Sequence, residues 1–434
     1  MPVVTERRRR RRPLPHLPAH DPGTSVRALG GSVVTGAADD DPVAIGTYAS
    51  IGASLGTSLL WAAPLVLPFT AVVVYLASKL GHVTGQGLVA VIRNHYGRGL
   101  LWVVVGAVLV GNLVEAAADL GGIGAGLNLL VPVPIKLLVV VVGAGILALM
   151  WFGSYRWIQS VFRWLALALV AYIGAAVLAG PQWREVLRAT LVPHLHWDRT
   201  HFAALVGIVG TALSPYLFVW QASQEVEQDV DQGMRRLSDR KGTTARELTA
   251  TAWDVLLGVV FGVVVMYFVM LSTATTLYPS RWGSLESAAA VARALNPVAG
   301  SAAGALFAAG IIGVGFIAVP VMTAGAAYAL CDALGWQSGL SRRRSEARAF
   351  YLLIAIATAI AVGLNFAGIN PIHALLAAGV LEGVLAPVVI LLMLLLTCNR
   401  RLMGPWRNAW WVNAVAGLAV AVSAAAVVGM LVAG

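Results

Sequence analysis

From about residue 31 onward the chain is a succession of long apolar runs separated by short polar breaks. Eleven are read, at roughly 31–57, 59–80, 101–126, 134–153, 157–180, 202–224, 251–277, 301–333, 349–368, 371–397 and 408–432. Each is near the ~20 residues an α-helix needs to cross a bilayer. The pattern predicts an all-α polytopic membrane protein with no separate soluble domain.

Two of these runs are interrupted. In the first, Asp39-Asp40-Asp41-Pro42 cuts a stretch otherwise long enough to span. An acid at the centre of a membrane helix costs about 2.5–3.5 kcal/mol on insertion scales, and proline removes a backbone donor. Such a run makes sense only where it lines a polar cavity, and it reads as a cation site. In the sixth, Thr211-Ala212-Leu213-Ser214-Pro215-Tyr216 places a proline among small and hydroxyl residues. Interrupted segments in matching positions of two halves point to an inverted-repeat transporter that binds its substrate at the midplane. Segments 1–5 (about 31–180) and 6–10 (about 202–397) form the 5+5 repeats within a transporter domain of 28–434, with segment 11 (about 408–432) added. Pro64, Pro68, Pro320 and Pro387 are read as kinks.

Composition strengthens this reading. The chain is 59% hydrophobic and 12% charged, with a mean hydropathy of +0.79, far more apolar than a soluble protein of this length. The formal charge of +10 raises nucleic acid as a partner, but the distribution of the charge excludes it. With the N-terminus cytoplasmic, the inside loops hold 24 of the 30 Lys and Arg; Lys136, Arg184, Arg188, Arg199, Arg281 and Arg293 face the other side. The positive-inside rule then predicts a multi-pass cell-membrane protein with the N-terminus in the cytoplasm and the C-terminus outside. Residues 1–27, with the run Arg7 to Arg12, contain no apolar stretch long enough for a cleavable signal. They are expected to be a disordered cytoplasmic tail that anchors topology or touches lipid headgroups. Cys331 and Cys398 are the only cysteines, too few for a disulfide framework or a thiolate metal site. With no Walker-type loop, ATP-driven pumping has no support. No cofactor is expected, and the protein is read as a monomer in the lipid bilayer.

Three stretches carry a family resemblance: Thr35-Gly36-Ala37-Ala38-Asp39-Asp40-Asp41-Pro42, the run from Ser214-Pro215-Tyr216 to Gln224-Glu225, and Gly363-Leu364-Asn365-Phe366 leading into Ile369-Asn370-Pro371. In this order, over about residues 30–400, they resemble the NRAMP family of divalent metal transporters, and more closely its bacterial NRAMP-related branch, which handles Mg²⁺ and Mn²⁺. The resemblance implies a LeuT-type fold with helices 1 and 6 broken, alternating access, and a divalent cation as substrate. The family's first-helix Asp-Pro-Gly-Asn stands here as Asp41-Pro42-Val43-Ala44, so the metal-holding Asp carries over to Asp41 and the Asn position is Ala44. The sixth-helix Met-Pro-His becomes Ser214-Pro215-Tyr216. The carbonyls that also ligate in the family map to Ala38 and Thr211.

Thioether suits discrimination in favour of transition metals, whereas carboxylate, hydroxyl and carbonyl oxygens suit hard cations. Mg²⁺ also keeps several waters, and Ala44 and Ser214 leave room for them. A partly hydrated Mg²⁺ or Mn²⁺ on Asp41 is expected, with Asp40 adding field or an outer-shell bond. Successive helical residues point about 100° apart, so Asp39, Asp40 and Asp41 cannot all share one face, and those turned away would cap the broken helix or sit near its mouth.

Coupling is altered too. In proton-coupled members the third helix carries an Asp and a Glu three apart. Aligned through Leu127-Asn128-Leu129-Leu130, the Glu position is Asp119 and the Asp position Ala116, with Glu115 one residue earlier; the sixth-helix His is Tyr216. The resemblance then implies uncoupled or differently coupled transport. Glu115 and Asp119 nevertheless share a helix face, which leaves a proton relay open. Glu382 in the tenth segment reads equally as a cavity group or a helix contact, the family's polar position there being Gly379. Gln221 and Gln224 are candidates for the inner exit, and Glu225 more simply for a solvated face. His194, His196 and His201 lie in an outside loop that could attract metal, but His-Leu-His with no nearby carboxylate beyond Asp198 reads more simply as incidental. The alternatives are a proton-coupled Mn/Fe symporter and a transporter of amino acids or other organic solutes on the same fold, although a carboxylate-lined break repels anions. An intramembrane protease using Asp41 and Asp119 lacks the Gly-rich aspartyl-protease motif around Asp119.

Overall fold

The computed structural model describes residues 40–152, 167–231, 233–278, 288–296, 300–340, 342 and 344–433. Among them every regular element is helical. The main helices are α1 (Pro42–Leu55), α2 (Ala62–Thr84), α3 (Leu88–His95), α4 (Arg98–Asn128), α5 (Ile135–Phe152), α6 (Ala171–Leu178) and α7 (Trp183–Leu191). They continue with α8 (Arg199–Ala212), α9 (Pro215–Asp231), α10 (Ala245–Thr276), α11 (Ala303–Leu334), α12 (Arg348–Leu364), α13 (Pro371–Cys398) and α14 (Trp410–Val432).

Nine spans among the described residues are long and apolar enough to cross a membrane, counting α8 and α9 as one interrupted span. The chain is a multi-pass membrane protein. The first and fifth expected segments are represented by α1 and by a short 3₁₀ turn (Leu167–Val170) running into α6. Residues 31–39 and 157–166 of these segments, like tail residues 1–27, lie outside the described residues.

Burial sorts the helices into two layers. Across its most apolar stretch the α8–α9 span is 94% buried, whereas α5 and α14 are each 28% buried. The broken helix is therefore central and the other two face lipid. Large apolar side chains such as Leu137, Val141 and Leu352 are more than half exposed, as suits helices that face a bilayer. At the centre, α1 packs against α4, α8, α10 and α13.

Small residues allow the closest approach. A Cβ on Gly210 of α8 would run into the Gly379 carbonyl and the Gly383 backbone of α13, and a Cβ on Gly383 would meet the Val206 carbonyl. The two backbones thus touch, as small-residue crossings permit in membranes. Gly111 of α4 plays a different part, since a Cβ there would collide with the Glu382 carboxyl. The missing side chain makes the notch in which this acid sits.

Candidate functional site

The site begins where α1 begins. Asp41 has extended backbone (φ −66°, ψ 175°) and caps the helix, with Pro42 in the first turn. Its Oδ1 accepts the Ala44 N–H at 2.7 Å. Proline lacks a donor, which suits the first helical position, and the Val43 N–H donates to Asp119 Oδ1 of α4 at 3.0 Å. Two carboxylates thus satisfy free N–H groups at this helix start.

The second break supplies the facing group. α8 stops at Leu213 (φ −126°, ψ 42°) and α9 starts at Pro215. From the first turn of α9, the Tyr216 hydroxyl donates to Asp41 Oδ2 at 3.2 Å. Asp41 is 2% exposed. The carboxylate of one break and the hydroxyl of the other therefore meet in a closed interior.

Hydroxyls also satisfy the carbonyls that the sixth-helix break releases. Ser214 Oγ donates to the Gly210 carbonyl at 2.8 Å and lies 3.2 Å from the Thr211 carbonyl. Thr70 of α2 donates to the Ala212 carbonyl at 3.0 Å. The Thr211 hydroxyl sits 3.0 Å from both the Gly207 carbonyl and the Tyr48 hydroxyl of α1. Ser214 and Thr211 are thus at the break, with the Ser214 hydroxyl turned onto its own helix. Tyr48 and Thr70 were not singled out from sequence. Tyr48 stands seven residues after Asp41, on the same face of α1, and that spacing was the available signal.

Around Asp41 lie three further acids. Glu115, Asp119 and Glu382 are fully or almost fully buried, and Glu115 is close enough to Asp41, Asp119 and Glu382 for direct electrostatic interaction. Neither carboxyl oxygen of Glu382 has a hydrogen-bond partner among the described residues. No lysine or arginine there pairs with any of the four. Asp40 is buried at the break; Asp39 and Ala38 lie outside the described residues. Ala44 is buried, with its amide on Asp41. No three His, Cys, Asp or Glu side chains among the described residues converge to hold a metal. A cation beside Asp41 would complete its shell from hydroxyls, carbonyls and water.

Gln221 is not brought to this centre. Its Nε2 donates to Glu225 Oε1 at 3.0 Å, and Glu225 Oε2 lies 3.0 Å from His82 Nε2 of α2. Glu225 is buried, contrary to a solvated-face reading, because His82 gives it a partner inside. Glu227 accepts from the Tyr328 hydroxyl of α11 at 2.9 Å. Elsewhere, His201 sits 2.7 Å from Asp198 Oδ2 at the start of α8, beside the His196 ring at a centroid distance of 4.8 Å. The His201 N–H holds the Asp198 carboxyl below its usual range.

Compared with known proteins, residues 32–433 match the family model described as natural resistance-associated macrophage protein-like, or Nramp. The chain belongs to the Nramp family. Relatives of this Nramp chain include a divalent metal cation transporter MntH of Granulibacter bethesdensis, 26% identical over 413 residues, covering 92% of this chain and 86% of that one. Another MntH, from Klebsiella pneumoniae strain 342, is 23% identical over 386 residues, covering 88% of each. Among solved structures, the Eremococcus coleocola manganese transporter bound to an aromatic bis-isothiourea compound superposes with a TM-score of 0.70 at 16% identity, over 95% of this chain and 87% of that one. MhsT in complex with L-phenylalanine gives 0.61 at 12% identity, over 94% and 98%. At such identities the likeness is one of fold: the Nramp chain has the LeuT-type architecture that its family resemblance implied.

Proposed function

We propose that the chain carries divalent metal cations across the membrane by alternating access, with Mg²⁺ or Mn²⁺ held in part-hydrated form beside Asp41. One observation carries the reading: the buried Asp41 carboxylate meets Tyr216 between the two helix breaks, with no lysine or arginine paired to it among the described residues. An uncompensated buried charge is costly, and a dication is the counter-charge that a transporter supplies. The names of the MntH relatives support the substrate class. Oxygen donors around Asp41, with Ser214 where the family places a thioether, support a hard ion. The charge asymmetry supports a cytoplasmic N-terminus.

Ion-by-ion flux into liposomes containing the purified protein tests this. Mg²⁺ and Mn²⁺ should enter; if neither moves while a labelled amino acid does, the reading fails. Ser214→Met is expected to shift competition toward soft Cd²⁺ by roughly tenfold, about 1.4 kcal/mol, measured as Cd²⁺ inhibition of Mn²⁺ uptake.

Proton coupling is a second reading, favoured by the unpartnered Glu382 and its neighbour Glu115. Four buried carboxyls gathered in one interior offer sites for protons as well as for a dication. The resemblance nevertheless favours uncoupled transport, because Ala116 and Tyr216 replace two groups of the proton route. Metal influx without acidification of a dye-loaded lumen is expected; acidification that Glu382→Gln removes would put the coupled reading in its place.

A further inference from the structure

α7 is too short to cross a membrane: nine residues rise roughly 14 Å at ~1.5 Å each. It follows α6 and leads through residues 192–198 into α8. Its sequence, Trp-Arg-Glu-Val-Leu-Arg-Ala-Thr-Leu, divides into three arcs at about 100° per residue. One arc faces the protein: Val186 is buried, and the Thr190 hydroxyl lies 2.8 Å from the Tyr267 hydroxyl of α10. The adjacent arc holds Trp183, Leu187 and Leu191 at four-residue spacing, with exposures of 46%, 59% and 75%. The third begins with Arg184 and Arg188, both exposed, and continues to Glu185.

The order of the arcs identifies what covers the apolar one. Both arginines border the stripe directly, while the single acid is turned further away. Leu178, at 64% exposure, extends the apolar surface onto the end of α6, so α7 leaves the chain where a membrane-embedded segment ends. Helices with an apolar face carrying Trp and Leu and a basic flank lie in the headgroup layer. Tryptophan favours that depth, and a guanidinium matches phosphate by two parallel hydrogen bonds. We propose that α7 is an interfacial helix that binds the phospholipid surface. Trp183, Leu187 and Leu191 enter the acyl boundary, and Arg184 and Arg188 hold lipid phosphates. Because α7 is tied to α10 and precedes α8, the contact sets the height in the membrane from which the broken helix starts. The inference is independent of which ion is carried.

The full chain, with Cys331→Ala and Cys398→Ala, is spin-labelled one site at a time through Leu187→Cys, Leu191→Cys or Glu185→Cys and reconstituted in phosphatidylcholine vesicles. Labels at 187 and 191 should be shielded from an aqueous nickel complex and accessible to oxygen, with 185 the reverse. Equal nickel access at 187 and 185 would overturn the proposal. Protection at 187 seen only at high protein density would also overturn it, because a neighbouring protein would then be the cover. Replacing both arginines by glutamine should raise nickel access at 187 several-fold in phosphatidylcholine and in anionic vesicles alike. An effect confined to anionic vesicles would overturn the phosphate contact and assign binding to net lipid charge. Elution as a single species during purification verifies folding of each variant.

Discussion

Asp41→Ala is expected to reduce metal uptake into proteoliposomes to background. The substitution removes a carboxylate that touches both breaks and also leaves the Ala44 N–H and the Tyr216 hydroxyl without their acceptor. A buried donor so abandoned costs about 1–3 kcal/mol, so part of the loss could come from a weakened α1. Asp41→Asn separates the two effects. Asparagine caps helices about as well as aspartate and keeps an oxygen for the Ala44 N–H, so folding should survive while the charge does not. Background uptake by well-folded Asp41→Asn is the expected result, read as initial rates of Mg²⁺ and Mn²⁺ influx. Wild-type rates in that variant would remove Asp41 from the mechanism.

Gly383→Val is expected to prevent accumulation of folded protein. Its first added carbon meets the Val206 carbonyl, a backbone atom of α8 that cannot rotate away. Overpacking among side chains typically costs 1–3 kcal/mol, on the order of a few rotamer adjustments; here a whole half-helix must shift, and with it the end of the break. A built-in control exists. Gly145 on lipid-facing α5 has open space around its would-be Cβ, so Gly145→Val should be nearly neutral. Size-exclusion profiles of the two variants make the comparison. Similar monodisperse yields would mean that the α8–α13 crossing is looser than its backbone contact indicates.

The sequence was most informative where a residue type was out of place. Acids and prolines are sparse inside apolar runs, so Asp41 and Ser214-Pro215-Tyr216 announced the breaks, and the matched positions of those breaks announced the architecture. Their meeting across 175 residues needed the fold. Groups whose role depends on what a distant neighbour lacks stayed hidden. Glu382 reads ambiguously in its own helix because the space it occupies is made by Gly111 on another. Asp119 gave no sign that it would cap α1 through the Val43 N–H, since that donor is freed only by Pro42 and the break together. The Ser214 side chain could face an ion or its own helix on sequence alone; the carbonyls that attract it exist only because α8 stops. α7 escaped notice because nine amphipathic residues between long apolar runs resemble an ordinary loop.

The far tip of α9 is pinned twice, by Glu225 to His82 and by Glu227 to Tyr328. A rod fastened at one end and unwound at the other pivots about its fastening, so a small rotation there sweeps its widest arc at Tyr216. If the proposed ion path runs past Asp41, the residue whose hydroxyl touches that carboxylate would be the one that travels farthest, so that opening the path and releasing the contact would be one movement.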